Sequence, residues 1–163
     1  MSPDEEFLTT LLKALNASGV EAIIVGNAGA ALQGAPVTTQ DVDLLVRDTP
    51  LNREKLETLS RALGAARPAA ISELTTAVRI TGAAFPIDIL FDSMSGGLQF
   101  ASVRSRSREV AVADVTATVA SLDDIIRSKE AAGRPKDTAV LPILRDTLRV
   151  QQALDQSGGE TPT

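Results

Sequence analysis

The chain of 163 residues contains no cysteine and no histidine. The first absence excludes disulfides, thiolate nucleophiles and zinc–thiolate sites. The second removes Ser-His-Asp and Cys-His arrangements and imidazole-ligated metals, leaving carboxylates, lysines and hydroxyls for any chemistry. Hard cations suit that inventory. Tryptophan and tyrosine are also absent, and only Phe7, Phe85, Phe91 and Phe100 could stack on a base, so single-strand recognition on aromatic platforms is not expected. With 16 basic against 21 acidic side chains and a formal charge of -5, no broad nucleic-acid-binding surface is expected. Asp4, Glu5 and Glu6 precede the first apolar residues, the reverse of a secretory signal, and no apolar run approaches a membrane span. The expectation is a cytoplasmic protein without membrane association.

The length and the 44% hydrophobic content support one domain with its own core. The predicted division is a single domain over 1–154, with a core over about 20–119 and a helical part over 120–154, followed by a disordered tail over 155–163. Helical spacing of Phe7, Leu8, Leu11, Leu12 and Leu15 predicts a helix over 4–17, ended by Ser18 and Gly19. A buried strand is expected over 21–25 and a short helix over 26–33, with Gly34-Ala35-Pro36 as a breaker. Asp48-Thr49-Pro50 reads as a cap and stop before a helix over 51–63 that places Leu51, Leu56, Leu59 and Leu63 near one face. A hairpin follows, its strands over 75–81 and 85–91 joined at Gly82. Residues 103–119 alternate and read as one or two strands, on which Arg104, Arg106 and Arg108 would form a basic stripe along a solvated edge. Ser121 caps a helix carrying Lys129, Gly133-Arg134-Pro135 interrupts, and 136–154 resumes helically with Pro142 as a break or new start. The fold class is α+β, a mixed sheet with flanking helices.

One stretch concentrates the chemical signals. An apolar strand ends at Gly26, a small-residue helix follows whose free N–H groups could face an anion, and Asp41-Val42-Asp43 then begins another strand. On that strand the period of two puts both carboxylates on one face and Val42, Leu44 and Val46 on the other. Magnesium favours one or two carboxylates together with substrate phosphate oxygens. Asp88, between Ile87 and Ile89, is a carboxylate that needs solvent, a metal or a cation. Joined to Asp41 and Asp43 it could complete a pair of metal positions about 4 Å apart and act as general base. Lys129, Arg134 and Lys136 cluster at the helix interruption, where they serve equally as dipole partners or as phosphate-side cations.

These residues carry a resemblance. Val25-Gly26-Asn27, Gly34, Thr39-Gln40-Asp41-Val42-Asp43-Leu44 and Ile87-Asp88-Ile89-Leu90 resemble the nucleotidyltransferase superfamily with the DNA polymerase β-like core. Asp124 through Lys129 and Gly133-Arg134-Pro135-Lys136-Asp137 resemble its small prokaryotic branch related to abortive-infection toxins, and together the motifs cover 20–150. The resemblance implies a nucleotidyltransferase-like core with C-terminal helices, and magnesium-dependent transfer of an NMP from an NTP such as ATP, with manganese as substitute metal. The acceptor would be a hydroxyl on tRNA, a protein or a small molecule, in a toxin with a cognate antitoxin partner. It assigns metal binding and catalysis to Asp41, Asp43 and Asp88. It assigns nucleotide binding to Gly26, Asn27, Thr39, Lys129, Arg134 and Lys136, with Asp137 supporting that wall. Two positions depart from the pattern: Asn27 stands where Gly or Ser is usual, and Val37 where a basic residue is frequent. They favour a second reading, a non-catalytic relative that binds nucleotide or a partner. A haloacid-dehalogenase-type phosphohydrolase fits less well, because there an apolar strand precedes the first aspartate, whereas here polar Thr38-Thr39-Gln40 precedes it.

Overall fold

The computed structural model describes residues 3–158. Helix α1 (Pro3–Ser18) leads into strand β1 (Ala22–Val25), helix α2 (Gly26–Leu32) and strand β2 (Val42–Val46). Helix α3 (Pro50–Ala62) is followed by strands β3 (Ala69–Ala70), β4 (Val78–Ile80) and β5 (Ile87–Phe91). A small hairpin of β6 (Ser93–Met94) and β7 (Leu98–Gln99) then leads to helix α4 (Phe100–Arg106), strands β8 (Arg108–Val112) and β9 (Val115–Val119), and helices α5 (Leu122–Ala132) and α6 (Pro135–Gly158).

Seven strands form one mixed sheet in the order β3-β4-β5-β2-β1-β9-β8, with β2–β5 and β1–β9 parallel and the other neighbours antiparallel. Alternation along the strands separates two apolar layers. Val42, Leu44, Val46, Ile87, Ile89 and Phe91 pack on the side of α1 and α3. Ile23, Val25 and Leu45 join α4, α5 and α6 on the other. Among the described residues no helix is long and apolar enough to cross a membrane.

Four expectations about elements change. The first is the basic stripe: Arg104 and Arg106 lie on α4, and only Arg108 is in a strand. Phe100 and Val103 are both buried; three residues apart, they share a helix face but would fall on opposite faces of a strand. The arginines disperse into separate ion pairs, with Glu21, Asp124 and Asp155 respectively.

Second, Leu51 is 57% exposed, and Pro50 begins α3 instead of stopping the chain. Thr49 caps that helix by accepting from Asn52 N at 3.0 Å, and the missing donor of Pro50 is harmless at the first turn. Third, only Val78–Ile80 of the expected strand over 75–81 pairs, because Ser72 and Thr75 hydroxyls accept from Leu74 N and Ala77 N and hold local turns. Fourth, α6 passes through Pro142 without a break and reaches Gly158, beyond the expected end at 154. Of the expected tail, 159–163 lies outside the described residues.

Candidate active site

Register brings the three aspartates together. Asp43 sits directly across the parallel β2–β5 pair from Asp88, and Asp41 immediately precedes β2 on the same side. One oxygen from each of Asp41, Asp43 and Asp88 lies within 4.8 Å of the others. The opposite flank of β2 is β1, where Val25 pairs with Asp43 and the chain turns at Gly26. Gly26 has φ +63, and a Cβ there would stand 2.6 Å from Asp43 Oδ2. Glycine at 26 is thus required twice, for the left-handed backbone and for the space that the carboxylate fills.

Charge is unbalanced within this cluster. Burial first, then repulsion from Asp41 and Asp88, raises Asp43 from 3.8 to about 7, against smaller opposing pulls from Lys129 and Lys136. Asp88, only 9% exposed, has a partner that the sequence reading missed. Arg79, its cross-strand neighbour on β4, places Nε 2.6 Å from Oδ1 and Nη2 3.0 Å from Oδ2, a two-pronged ion pair. A signal was available: Arg79 interrupts Val78 and Ile80 in one arm of the Gly82 hairpin as Asp88 interrupts the other.

Across the cleft stand the cations, organised by a buried carboxylate. Gly133, at φ +62, closes α5 with its N–H on Lys129 O at 2.9 Å, and α6 starts two residues later. Asp137, 1% exposed, holds Arg134 Nε at 2.6 Å and Lys129 Nζ at 3.7 Å. Burial alone would raise Asp137, but the hydrogen bond and charge of Arg134, then Lys129, hold it below the usual carboxylate value. Burial lowers Lys129.

The two walls enclose a cleft of about 560 Å³, lined by Gly26, Asn27, Asp41, Asp43, Arg79, Asp88, Lys129, Arg134, Lys136 and Asp137. Asn27 has its Nδ2 3.5 Å from Thr38 O, while its Oδ1 is buried with no hydrogen-bond partner among the described residues. Thr39 is the exception among the expected nucleotide-binding residues. It lines a separate cavity on the α1 side of the sheet, together with Val37 and Val42.

The donor set suits a hard divalent cation: three convergent carboxylates, no cysteine or histidine in the chain, and an Asp43 whose ionisation awaits compensating positive charge. With cations facing that trio, the cleft can bind a polyphosphate between two complementary walls.

No family model matches the sequence, and no curated protein matches it. Solved structures do match. The solution structure of the antibiotic-resistance factor ANT(2'')-Ia is similar over 94% of this chain and 91% of its own, at TM-score 0.64 and 15% identity. The same factor in complex with adenylyl-2''-tobramycin is similar over 98% and 100%, at TM-score 0.63 and 15% identity. TM1012 from Thermotoga maritima, provisionally described as a nucleotidyltransferase, is similar over 87% of this chain and 93% of its own, at TM-score 0.62 and 18% identity. The mixed sheet with its flanking helices is therefore the fold of the nucleotidyltransferases.

Proposed function

We propose that the protein is a magnesium-dependent nucleotidyltransferase that moves an NMP from an NTP to a hydroxyl acceptor. The observation that carries this reading is the convergence of Asp41, Asp43 and Asp88 opposite Lys129, Arg134 and Lys136 across one cleft. Asp41, Asp43 and Asp88 would hold the divalent cation, which when bound clamps phosphate oxygens and lowers the pKa of the attacking hydroxyl. Lys129, Arg134 and Lys136 take the triphosphate, with Asp137 fixing the first two. Asp88 receives the acceptor's proton; its oxygens keep lone pairs beyond those used by Arg79. The acceptor oxygen then bonds to the α-phosphorus, the bond from that phosphorus to the bridging oxygen breaks, and pyrophosphate leaves against the cationic wall.

The favoured acceptor is a small polyhydroxylated molecule. Two observations support it: the charge of -5, unsuited to a tRNA or other polyanion, and the adenylylated aminoglycoside bound by a protein of the same fold. A protein or tRNA acceptor, and a toxin role with a cognate antitoxin, rest on the sequence resemblance alone.

A second reading keeps the cleft but not the transfer. Val37, standing where a basic residue is frequent, packs against the α4–α6 apolar layer and is not among the residues lining the cleft, so position 37 supplies no phosphate-side cation. The test is to incubate the protein with each α-labelled NTP, magnesium, and in parallel aminoglycosides, tRNA or cell extract, beside Asp41→Asn/Asp43→Asn. Label transferred by the unmodified chain alone supports the enzyme. Nucleotide-dependent thermal stabilisation without transfer to any acceptor would select the second reading.

A further inference from the structure

Register lays five residues in one row across the sheet: Ala69 on β3, Arg79 on β4, Asp88 on β5, Asp43 on β2 and Val25 on β1. The two ends of this row differ. Beside Val25 the chain turns at Gly26 into α2, and α5, which carries Lys129, packs onto that helix: a Cβ at Gly29 would stand 3.1 Å from Ile125 Cδ1. The cationic wall therefore belongs to the Val25 end. At the other end Arg79 is the last charged side chain, because its outer neighbour is the small, exposed Ala69. The Arg79 side chain is 43% exposed. Its Nε and Nη2 each donate to Asp88, and its Nη1 has no hydrogen-bond partner among the described residues. Of the five N–H groups of a guanidinium, three thus remain for a ligand. The carboxylates of the cleft, by contrast, are all committed. Asp41, Asp43 and Asp88 converge on one another, and Asp137 is buried against Lys129 and Arg134. A divalent cation offsets two of the three converging charges and Arg79 the third, so an ammonium entering beside Asp88 meets no uncompensated carboxylate.

We propose that the acceptor is a small polyol bearing an oxyanion, a carboxylate or a phosphate monoester, which Arg79 binds at the outer end of the row while a hydroxyl of the same molecule faces Asp88. The proposal rests on nucleotidyl transfer in this cleft and narrows the acceptor of that reaction. With the triphosphate at the Val25 end, the body of the acceptor extends from Asp88 toward β4, and Arg79 is the charged group it meets. A guanidinium anchored at Nε and Nη2 is held in one plane, so its remaining donors are aimed before the ligand arrives and match the two oxygens of a carboxylate or phosphate. The spacing suits one sugar-sized molecule, because direct cross-strand neighbours have Cβ atoms about 5 Å apart. Ile71, 42% exposed where the chain leaves β3, lines the same cleft and offers an apolar surface to the carbon face of a ring.

Methyl-resolved NMR of the full chain, saturated with magnesium and α,β-methylene-ATP, which cannot release its nucleotidyl group, tests the proposal. Nucleotide binding is followed at Val25 and Ile125. Its absence would remove the transferase reading, and this proposal with it. Glucuronate, glucose 6-phosphate, glucose and glucosamine are then titrated separately onto the loaded protein, with Ile71 and Leu90 as reporters. At least one of the two anions is expected to shift these methyls saturably and to bind about tenfold more tightly than glucose, the gain of one charge-assisted hydrogen-bonded pair, with glucosamine weakest. The tighter anion assigns the group as carboxylate or phosphate. Arg79→Gln should abolish the preference for the anion over glucose while nucleotide still shifts Val25 and Ile125, a ratio that a role confined to holding Asp88 would not move. Melting in magnesium is measured alongside, and Arg79→Lys, which keeps a cation beside Asp88 but loses the planar fork, should retain only part of the preference. Glucose or glucosamine binding as tightly as both anions, no saturable shift from either anion on the nucleotide-loaded protein, or an unchanged preference in both Arg79 variants would each overturn the proposal and leave the transferase reading in place.

Discussion

Asp43 makes the metal-free protein sensitive to pH in a window where little else in the chain titrates. Its carboxyl is raised from 3.8 to about 7. The native state therefore keeps a proton that the unfolded chain releases, and stability falls as pH rises from the unfolded value through the folded one. Above it both states are ionised and the whole cost is present. Each unit corresponds to about 1.4 kcal/mol, so the full shift sets a ceiling of about 4 kcal/mol. Between about pH 5 and pH 8 the remaining two units amount to about 2.7 kcal/mol, or about 8 °C in Tm for a domain of this size. The chain has no histidine, so no side chain with an ordinary pKa contributes there. Scanning calorimetry in EDTA across that window should give a Tm that falls for the unmodified protein and stays nearly level for Asp43→Asn. Magnesium at pH 8 should restore the unmodified protein and leave the variant unchanged. Parallel pH profiles for the two proteins would refute the assignment of the buried charge to Asp43.

Four further outcomes are expected. Gly26→Ala, with its Cβ 2.6 Å from Asp43 Oδ2 and a backbone at φ +63, should cost about 1–3 kcal/mol by chemical denaturation and weaken manganese binding in calorimetric titration. Asp137→Ala strips the buried partner from Lys129 and Arg134, so stability should fall by about 3 kcal/mol and ATP affinity should drop in equilibrium binding. Arg79→Met leaves Asp88 beside two other carboxylates without its guanidinium; its Tm should lie below that of the unmodified protein in EDTA, with the gap narrowing as magnesium is added. Thr39→Val should leave nucleotide affinity unchanged, since this side chain belongs to the opposite cavity; a tenfold loss would place it in the cleft after all.

Much of the candidate site was legible because it is encoded by local period. Asp41 and Asp43 share a face because they are two residues apart at the start of a strand, and Val42, Leu44 and Val46 follow to the other by the same rule. Ser121, Gly133 and Pro135 mark the ends of α5 and α6 by capping chemistry that needs only neighbours in the chain, and these ends bring Lys129, Arg134 and Asp137 to one place. Such features are written in the order of residues, and no long-range contact is required to read them.

What sequence could not supply was decided by pairing between distant segments. The opposition of Asp43 and Asp88 depends on a parallel register across forty-five positions of chain, and the grip of Arg79 on Asp88 depends on a hairpin register that Gly82 alone does not specify. Alternation likewise could not decide 103–106, where burial of Phe100 and Val103 against the rest of the core selects a helix over the strand expected from 103 onward. Thr39 and Asp41 are also two residues apart, yet they line different cavities, because the chain between α2 and β2 is not extended strand and the period of two does not apply to it. Local spacing determines which side chains can share a face. Only the packed sheet determines which faces meet, because that choice is made by burial and hydrogen-bond register among residues far apart in the chain.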